Sequence, residues 1–183
     1  MRTALFLACM LLAAVGYAQT PATTPTPTPA TPSPYAADTE SPDALIAALY
    51  GVISGPVGQA RDWDRFRNLF HPKGHLMAVA PNKDGVYQAY YLTPDDYIAR
   101  SGPRLVELGF HEIELARTTD SYGPIVQVFT TYQAYAGSPS GERIARGINS
   151  VQLVQEQGRW WILSIAWHGE TPATPLPEKY LKH

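Results

Sequence analysis

Two histidines and two tyrosines are the side chains in this sequence whose types and positions could carry acid–base chemistry. His75 stands at the start of one predicted strand and His168 at the end of another. Histidine titrates near neutral pH, so either residue could act as a general base. Tyr90 or Tyr132 could supply a hydrogen-bond donor, provided that a histidine and a tyrosine meet within about 3 Å of one point. Hydrogen bonding within the fold is the structural alternative for His168, and core packing is the alternative for the two tyrosines.

Carboxylates offer fewer catalytic candidates, because the predicted strand interiors are poor in them. Glu112 and Glu114 lie on the same side of one strand, a pattern typical of a solvated face. The spacing of His71 and His75 could suit a metal. Pro72, however, prevents the helix that would bring both onto one face, and no third ligand is evident. We therefore expect no metal site, and nothing in the sequence indicates a nucleotide or another cofactor.

Further side chains are candidates for lining a binding cavity. Aromatic walls with a few polar groups suit a flat, partly apolar ligand. The same aromatic residues would also serve an ordinary hydrophobic core, which is the structural alternative. The candidates for ligand binding are Trp63, Tyr97, Phe129, Asn149 and Trp167.

A long β-hairpin is the element that must position several of these residues. The runs 144–155 and 160–168 flank a tight turn at Gly158, which supplies the positive φ that such a turn requires. Both faces of the hairpin are largely apolar, so we expect helices to cover one face and a partner to cover the other. Side chains alternate along a strand, so Asn149 and His168 are expected on the same face. The predicted register pairs Val154 with Trp161 and Ile148 with Trp167.

The remaining segments predict an α+β fold in the order ααββαββββ. Ser41 and Asp62 precede two helices, and a capping-box pattern opens the third at Thr93. Short loops imply antiparallel neighbours, so the strands should form a curved antiparallel sheet. About three N-terminal helices should lie on its concave face. The predicted strands are 75–80, 86–92, 110–119, 125–136, 142–155 and 160–168.

The composition allows one domain with a sizeable core, since 45% of the 183 residues are hydrophobic. The formal net charge is −2 and there is no basic stripe, so we expect no nucleic-acid partner. The only cysteine, Cys9, lies in the N-terminal segment that we expect to be removed. The mature chain then has no thiol for disulfides, metal binding or nucleophilic catalysis.

Residues 1–18 have the pattern of a secretory signal peptide. Arg2 provides the positive end, an apolar run follows, and Gly-Tyr-Ala at 16–18 fits a cleavage site. The apolar run is shorter than the roughly 20 residues that span a bilayer, and an uncleaved anchor is the alternative. We therefore expect an exported protein, periplasmic or secreted, without a membrane partner after cleavage. The predicted parts are a Pro/Thr-rich disordered linker at 19–41, a folded domain at 42–170 and a C-terminal tail at 171–183.

Three stretches of the sequence carry a family resemblance. They are RDWDRF at 61–66 with LFHP at 69–72, TPDDY at 93–97, and GRWWILS at 158–164. With the element order, they resemble the superfamily of nuclear transport factor 2-like (NTF2-like) proteins, which includes the SnoaL-like domains. The resemblance covers about 42–170. RGINS at 146–150 and PLPEKYL at 175–181 resemble an uncharacterised, exported bacterial branch of that superfamily.

The resemblance implies a cone with a cavity between sheet and helices, and often a homodimer through the outer face of the sheet. Isomerase and dehydratase members use an acid–base group inside the cone, and the scarcity of strand carboxylates here departs from that pattern. Three functions stay open. The first is binding of a small, partly apolar molecule, and the second is a SnoaL-like lyase, isomerase or hydrolase with a histidine base. The third is a structural dimerisation module, which predicts a cavity filled by the protein's own aromatic residues.

Overall fold

The structure is a computed structural model that describes residues 33–181. These residues contain three α-helices and a six-stranded sheet. The predicted signal peptide, and the predicted linker as far as residue 32, lie outside the described residues. The α+β class and the order ααββαββββ are confirmed. The helices are α1 (Pro42–Ile53), α2 (Trp63–Leu69) and α3 (Pro94–Leu108). The strands are β1 (Phe70–Pro81), β2 (Tyr87–Leu92), β3 (His111–Tyr122), β4 (Ile125–Ala136), β5 (Glu142–Glu156) and β6 (Arg159–Gly169).

The strands form one curved, open sheet in the order β2-β1-β6-β5-β4-β3. All neighbours are antiparallel except β1 and β6, which run parallel with Leu76 opposite Ile165. The predicted curved sheet is confirmed, and this one pair departs from the antiparallel pattern. Short loops dictate antiparallel pairing only between consecutive strands, whereas β1 and β6 are far apart in the sequence and meet only in the folded sheet.

Local sequence signals set where the helices begin and end. The Ser41 hydroxyl accepts a hydrogen bond from the backbone N–H of Ala44 at 3.1 Å and caps α1. At the start of α3 the backbone N–H of Asp96 donates to the Thr93 hydroxyl at 3.1 Å. The Asp96 carboxylate accepts from the backbone N–H of Thr93 at 3.0 Å, which completes a capping box. Gly109 ends α3 in the left-handed region with φ 59°.

The helices cover the concave face of the sheet and share one hydrophobic core with it. Phe66 of α2 stacks on Tyr97 of α3 at 5.3 Å between ring centroids and packs against Phe70 at 4.9 Å. Burial of apolar side chains is the main force that holds the two layers together. Among residues 33–181, no helix is long and apolar enough to cross a bilayer. The largest fully buried apolar side chains are Phe66, Leu45, Ile46, Leu69, Ile162, Val128 and Val151.

A β-bulge in β6 changes the register of the predicted hairpin. Near the turn, Val154 pairs with Trp161 as predicted. Farther along, the register shifts by one residue, since Leu153 pairs with Ile162 but Gln152 pairs with Ser164. Leu163 is therefore the extra residue in β6. The predicted pairing of Ile148 with Trp167 is wrong, because Ile148 lies opposite His168.

The bulge exchanges the faces of the side chains that follow it. Trp167, and not His168, lies opposite Asn149. Trp167 and Asn149 both line the concave side of the sheet, where the helices pack. A one-residue shift moves every later side chain to the other face of a strand, so His168 points to the convex side.

Segments on both sides of the predicted domain pack against it. The 3₁₀ helix Ala36–Thr39 lies within the predicted linker, yet Asp38 accepts two hydrogen bonds from Arg65 at 2.7 and 2.8 Å. This part of the predicted linker is ordered against α2. In the tail, the carbonyl oxygen of Tyr180 accepts a hydrogen bond from the Thr131 hydroxyl at 2.6 Å. The tail therefore covers part of the convex face, and the predicted homodimer through that face stays a prediction.

A buried arginine, Arg61, joins the ends of α1 and α3 to the start of β3. The residue is 6% exposed, and among residues 33–181 its guanidinium group has no carboxylate partner. It donates instead to backbone carbonyl oxygens, several of them at the C-terminal ends of helices, where the helix dipole is negative. The acceptors are the carbonyls of Gln59 (2.6 Å), Gly55 (2.7 Å), Ile53 (3.0 Å) and Leu105 (3.1 Å), with those of Pro56 and Phe110 at 3.5 Å.

We expect the substitution Arg61→Met to lower the free energy of unfolding by roughly 3 kcal/mol or more, since several buried carbonyls would lose their donor. Urea unfolding of both proteins measures the difference. Arg104→Met is the matched control. Arg104 pairs with Glu107 on the exposed side of α3, and its loss should change stability by less than about 0.5 kcal/mol. Equal unfolding midpoints for Arg61→Met and the wild type would contradict the role given to Arg61.

Candidate functional site

A cavity of about 270 Å³ lies between the concave face of the sheet and the helices. Apolar and aromatic side chains form most of its wall, and a carboxyl, an amide and three hydroxyl groups are the polar exceptions. A dry apolar cavity of about 150 Å³ can hold benzene, so this one has room for a molecule of one or two rings. The lining residues are Leu49, Ile53, Phe66, Leu76, Tyr97, Ser101, Leu105, Phe110, Glu112, Tyr132, Ala134, Ala145, Asn149, Ile165 and Trp167.

Glu112 is the one carboxyl on this wall. Its position in β3 places it opposite Ala134 of β4, and both residues line the cavity. Burial in this apolar surrounding raises the pKa of the Glu112 carboxyl to about 7, and a hydrogen bond from Asn149 opposes the rise. The expectation that Glu112 lies on a solvated face is wrong, because the covered face of β3 is the one that carries it.

Asn149 connects Glu112 to a buried polar network. Its side-chain nitrogen lies 3.5 Å from a carboxyl oxygen of Glu112 and donates to the Tyr50 hydroxyl at 3.2 Å. The Tyr50 hydroxyl in turn lies 3.0 Å from the hydroxyl of Thr130, which is fully buried. Burial raises the pKa of Tyr50, so the phenol stays protonated at neutral pH. Each of these polar groups is thus partnered, as buried polar groups require.

Two tyrosine hydroxyls face the same cavity without such partners. Within residues 33–181, the hydroxyls of Tyr97 and Tyr132 make no hydrogen bond to the protein. Burial raises the pKa of Tyr132 to about 12, and the negative charge of Glu112 adds to the effect. Burial and Glu112 raise the pKa of Tyr97 as well. Both phenols remain protonated at neutral pH and are available as donors to a ligand.

Four of the residues that the sequence singled out lie on the cavity wall: Tyr97, Tyr132, Asn149 and Trp167. Tyr97 meets Trp167 edge to face, with ring centroids 6.4 Å apart. The bulge in β6 brings Trp167 beside Asn149, so the structure places them together for a reason that the predicted register did not contain. Their part in ligand binding stays a prediction.

Neither candidate histidine lies in the cavity. His75 is next to the cavity residue Leu76 on β1, so its side chain points to the opposite face, where its ring lies 6.2 Å from that of Tyr91. The Nδ1 atom of His168 lies 2.8 Å from the carbonyl oxygen of Val79, and its ring meets Tyr87 edge to face. The required meeting of a histidine and a tyrosine inside the cone therefore does not occur among the described residues.

Three other candidates also lie outside the cavity. Phe129 is on the convex face, with its ring 5.1 Å from that of Tyr180 in the tail. Trp63 packs beside Gly102 of α3 and lines a shallow groove between α2 and α3. Tyr90, in the edge strand β2, is 37% exposed and is not a lining residue.

The alternation of β4 contained a signal that could have identified Glu112. Val126, Val128, Thr130, Tyr132 and Ala134 are all buried, whereas the residues between them are less uniformly so. Because β3 and β4 are antiparallel neighbours, the residue of β3 opposite Ala134 must face the same way. That residue is Glu112. The pairing of Glu112 with Ala134 depends on the register between β3 and β4 across the turn at 123–124. The sequence alone did not provide that register.

No metal centre accompanies this carboxyl in the part of the chain that the structure describes. Residues 33–181 contain no group of three or more His, Cys, Asp or Glu side chains close enough to hold a metal ion. The polar groups among the lining residues are the carboxyl, the amide and the hydroxyls already described.

Comparisons with known proteins show which solved structures have a similar fold. No protein-family model matches the sequence, and no curated protein matches it. The beta subunit of a putative aromatic-ring-hydroxylating dioxygenase from Novosphingobium aromaticivorans is similar in structure. It has 16% identity and a TM-score of 0.53 over 73% of this chain and 94% of that chain. A protein of unknown function with a cystatin-like fold, from Nostoc punctiforme, has 12% identity and a TM-score of 0.52 over 73% and 90% of the two chains.

A putative ketosteroid isomerase from Parabacteroides distasonis is also similar, with 10% identity and a TM-score of 0.50 over 72% of this chain and 89% of that chain. The chain has the NTF2-like cone fold. At such low identity the likeness concerns the fold alone, because one fold can carry many unrelated activities.

Glu112 should make the stability of the protein depend on pH. The pKa of its carboxyl is about 7 in the folded state and 4.5 in the absence of the fold. The folded state thus binds the proton more tightly than the unfolded chain does. The stability that proton binding at Glu112 contributes is fully present below about pH 4.5 and is lost as the pH rises through about 7. We expect Glu112→Gln, which cannot ionise, to gain up to about 3 kcal/mol of unfolding free energy relative to the wild type between about pH 4.5 and pH 8.

Urea unfolding at about pH 5 and pH 8 tests this expectation. Glu107→Gln is the control, because Glu107 is exposed on α3 and its loss should leave the pH dependence as it is in the wild type. Stability curves of wild type and Glu112→Gln that run parallel over this range would contradict the raised pKa.

Proposed function

We propose that the cone binds a small, partly apolar, uncharged molecule whose polar group lies against Glu112. The observation that carries this proposal is the free space of about 270 Å³ beside a carboxyl in an otherwise mostly apolar wall. Apolar walls with a few fixed polar groups are typical of small-molecule sites. The rings of Tyr97 and Trp167 provide flat surfaces, and the hydroxyls of Tyr97 and Tyr132 provide donors for a carbonyl or similar acceptor.

The charges around the cavity favour an uncharged ligand over an acid. No lysine, arginine or histidine is among its lining residues in the described part of the chain. A bound carboxylate would therefore meet Glu112 without a cation to offset the repulsion, in a surrounding that already disfavours charge. A neutral carbonyl compound avoids this cost and can accept hydrogen bonds from the tyrosine hydroxyls.

The unfilled space also favours binding over the structural alternative. A pure dimerisation module predicts that the protein's own aromatic residues fill the cone. Phe129 and Trp63 instead pack elsewhere, against the tail and against α3. The wall residues Tyr97, Tyr132 and Trp167 leave a space between them that a ligand can occupy.

A native mass spectrum of the protein purified gently from its own cells tests binding together with two further proposals. We propose that the chain is exported, on the pattern of residues 1–18, and that it forms the homodimer that the resemblance implies. The expected species is a dimer of chains that begin at Gln19, carrying a small neutral adduct. A chain that retains Met1 would contradict cleavage after residue 18, and a monomer would contradict the dimer. Absence of any adduct calls for the direct binding measurement.

Direct binding is measured by calorimetric titration with two molecules of similar shape. The first is 2-tetralone, a neutral bicyclic ketone, and the second is tetralin-2-carboxylate. We expect the carboxylate to bind at least about tenfold more weakly, because of Glu112. Ala134→Leu, which adds bulk inside the cavity, should weaken 2-tetralone binding to a similar degree. Ala166→Leu is the control, because Ala166 lies between the cavity residues Ile165 and Trp167 and so points to the other face. Equal affinity for both molecules, or no binding of either, would contradict the proposal.

A second candidate function is proton transfer on the bound molecule. It is favoured by the carboxyl of Glu112, whose pKa of about 7 suits a group that must both accept and release a proton near neutral pH. The hydroxyls of Tyr97 and Tyr132 could stabilise the negative charge that develops on a carbonyl oxygen when a neighbouring carbon loses its proton. In this version of the enzyme hypothesis, Glu112 replaces the histidine base that the sequence suggested.

We expect the protein to accelerate exchange of the acidic C–H hydrogens of 2-tetralone in deuterated water, as followed by proton NMR. The rate should rise through about pH 7, since the ionised form of Glu112 is the base. Glu112→Gln should slow the catalysed exchange by about 10²-fold or more. Glu107→Gln, on the exposed side of α3, should leave it unchanged. Binding of 2-tetralone without catalysed exchange would leave the binding function standing and reject proton transfer.

A further inference from the structure

A line of hydrogen bonds leads from the cavity to an ion pair at the edge of the domain. At its outer end, Arg117 holds the carboxylate of Glu114 through two contacts, of 2.8 and 2.5 Å, and also contacts Asp43 at 2.7 Å. The pairing fixes Glu114 as a carboxylate, which can only accept hydrogen bonds. The outer end of the line is therefore an acceptor, and this determines the direction of the next bond inward.

The directions of the following two bonds are determined by proton count. The Thr130 hydroxyl donates to Glu114 at 2.5 Å and has no second hydrogen to give. Its contact with the Tyr50 hydroxyl, at 3.0 Å, must then be one in which Tyr50 donates. Tyr50 also has a single hydroxyl hydrogen, which this bond uses. Its oxygen can only accept from its remaining neighbour.

That remaining neighbour is Asn149, at the edge of the cavity. Since the Tyr50 oxygen must accept, the amide nitrogen of Asn149, and not its oxygen, faces Tyr50 at 3.2 Å. The same nitrogen lies 3.5 Å from Glu112. Its second hydrogen is thereby directed towards the carboxyl of Glu112, at the outer limit of hydrogen-bond distance.

We propose that Glu114, Thr130 and Tyr50 are positioning residues that hold the amide of Asn149 with its N–H towards Glu112. None of the three lines the cavity. They act through Asn149, which would otherwise be free to turn its carbonyl oxygen to the same place. The proposal deepens the proposed function of the cavity, and it rests on that function for its significance. Its test needs no ligand, so a failure of ligand binding can be distinguished from a failure of this line of hydrogen bonds to orient Asn149.

The test is the titration of the Glu112 carboxyl in the free protein, followed by carbon-13 NMR of glutamate-labelled samples. The titratable groups that face Glu112 from other elements are Tyr50 from α1, Tyr97 from α3 and Tyr132 from β4, and all three stay neutral over the range of interest. On β3 itself, the charged neighbours are Glu114 and Arg117, which pair with each other. An N–H directed at the carboxyl favours its ionised form. Loss of that donor in Asn149→Leu should raise the pKa of Glu112 by about 1.

Thr130→Val releases the amide without touching the cavity wall. It preserves the shape of Thr130 but removes the acceptor of the Tyr50 proton, so Tyr50 becomes free to donate to a reversed Asn149. We expect the pKa of Glu112 to rise in Thr130→Val and to stay at the wild-type value in Thr130→Ser, which keeps the hydroxyl. A purely structural role for Thr130 would not distinguish these two variants by the titration of a carboxyl three hydrogen bonds away.

Glu114→Leu separates the orientation of Asn149 from a simple charge effect, because the two predict changes of opposite sign in the pKa of Glu112. Removing a negative charge near Glu112 should by itself lower the pKa of Glu112, whereas releasing the amide should raise it. Asp43→Leu is the matched control. It removes a negative charge from the same ion cluster, at a side chain that is 90% exposed, and leaves the line of hydrogen bonds intact.

The proposal is supported if Asn149→Leu, Thr130→Val and Glu114→Leu each raise the pKa of Glu112 while Thr130→Ser and Asp43→Leu do not. It is overturned if Thr130→Val leaves that pKa unchanged or lowers it while Asn149→Leu raises it, since the amide is then oriented without the Thr130 hydroxyl. It is also overturned if Asn149→Leu fails to raise the pKa, since the amide then gives no hydrogen bond to Glu112.

Discussion

The buried guanidinium group of Arg61 is the constraint on which the site depends most directly. It binds carbonyl oxygens from the end of α1, from α3 and from the residue that precedes β3, and so fixes where β3 enters the sheet. Close by, the backbone N–H of Gly55 donates to the carbonyl of Phe110 at 2.9 Å, and that of Glu112 donates to the Ser54 hydroxyl at 2.9 Å. These bonds hold the start of β3 against α1, which turns the Glu112 side chain into the cone.

The properties of Glu112 follow from a balance between burial and one directed donor. Burial disfavours the ionised form and is the larger effect, whereas the Asn149 amide favours ionisation. A fully unpartnered carboxyl in such a place would stay protonated far above neutral pH, and one with several donors would stay ionised. The present arrangement leaves the pKa of the Glu112 carboxyl near neutral pH.

The fold itself does not decide between binding and catalysis. The cone supplies a covered concave surface, and what it does depends on the few polar groups that reach this surface. Here those groups come from β3, β4, β5 and α3. The solved proteins with a similar fold include a putative isomerase, a dioxygenase subunit and proteins of unknown function, so residue-level geometry carries the functional argument.

The sequence by itself determined the features that depend on neighbouring residues. The caps at Ser41 and Thr93, the turn at Gly158 and the element order are local, since each needs only a few adjacent side chains and backbone preferences. Tertiary structure decided the rest. The bulge at Leu163 exchanged the faces of Trp167 and His168, and the pairing of β3 with β4 brought Glu112 inside. Register across strands depends on packing between distant segments, and a shift of one residue reverses every face that follows.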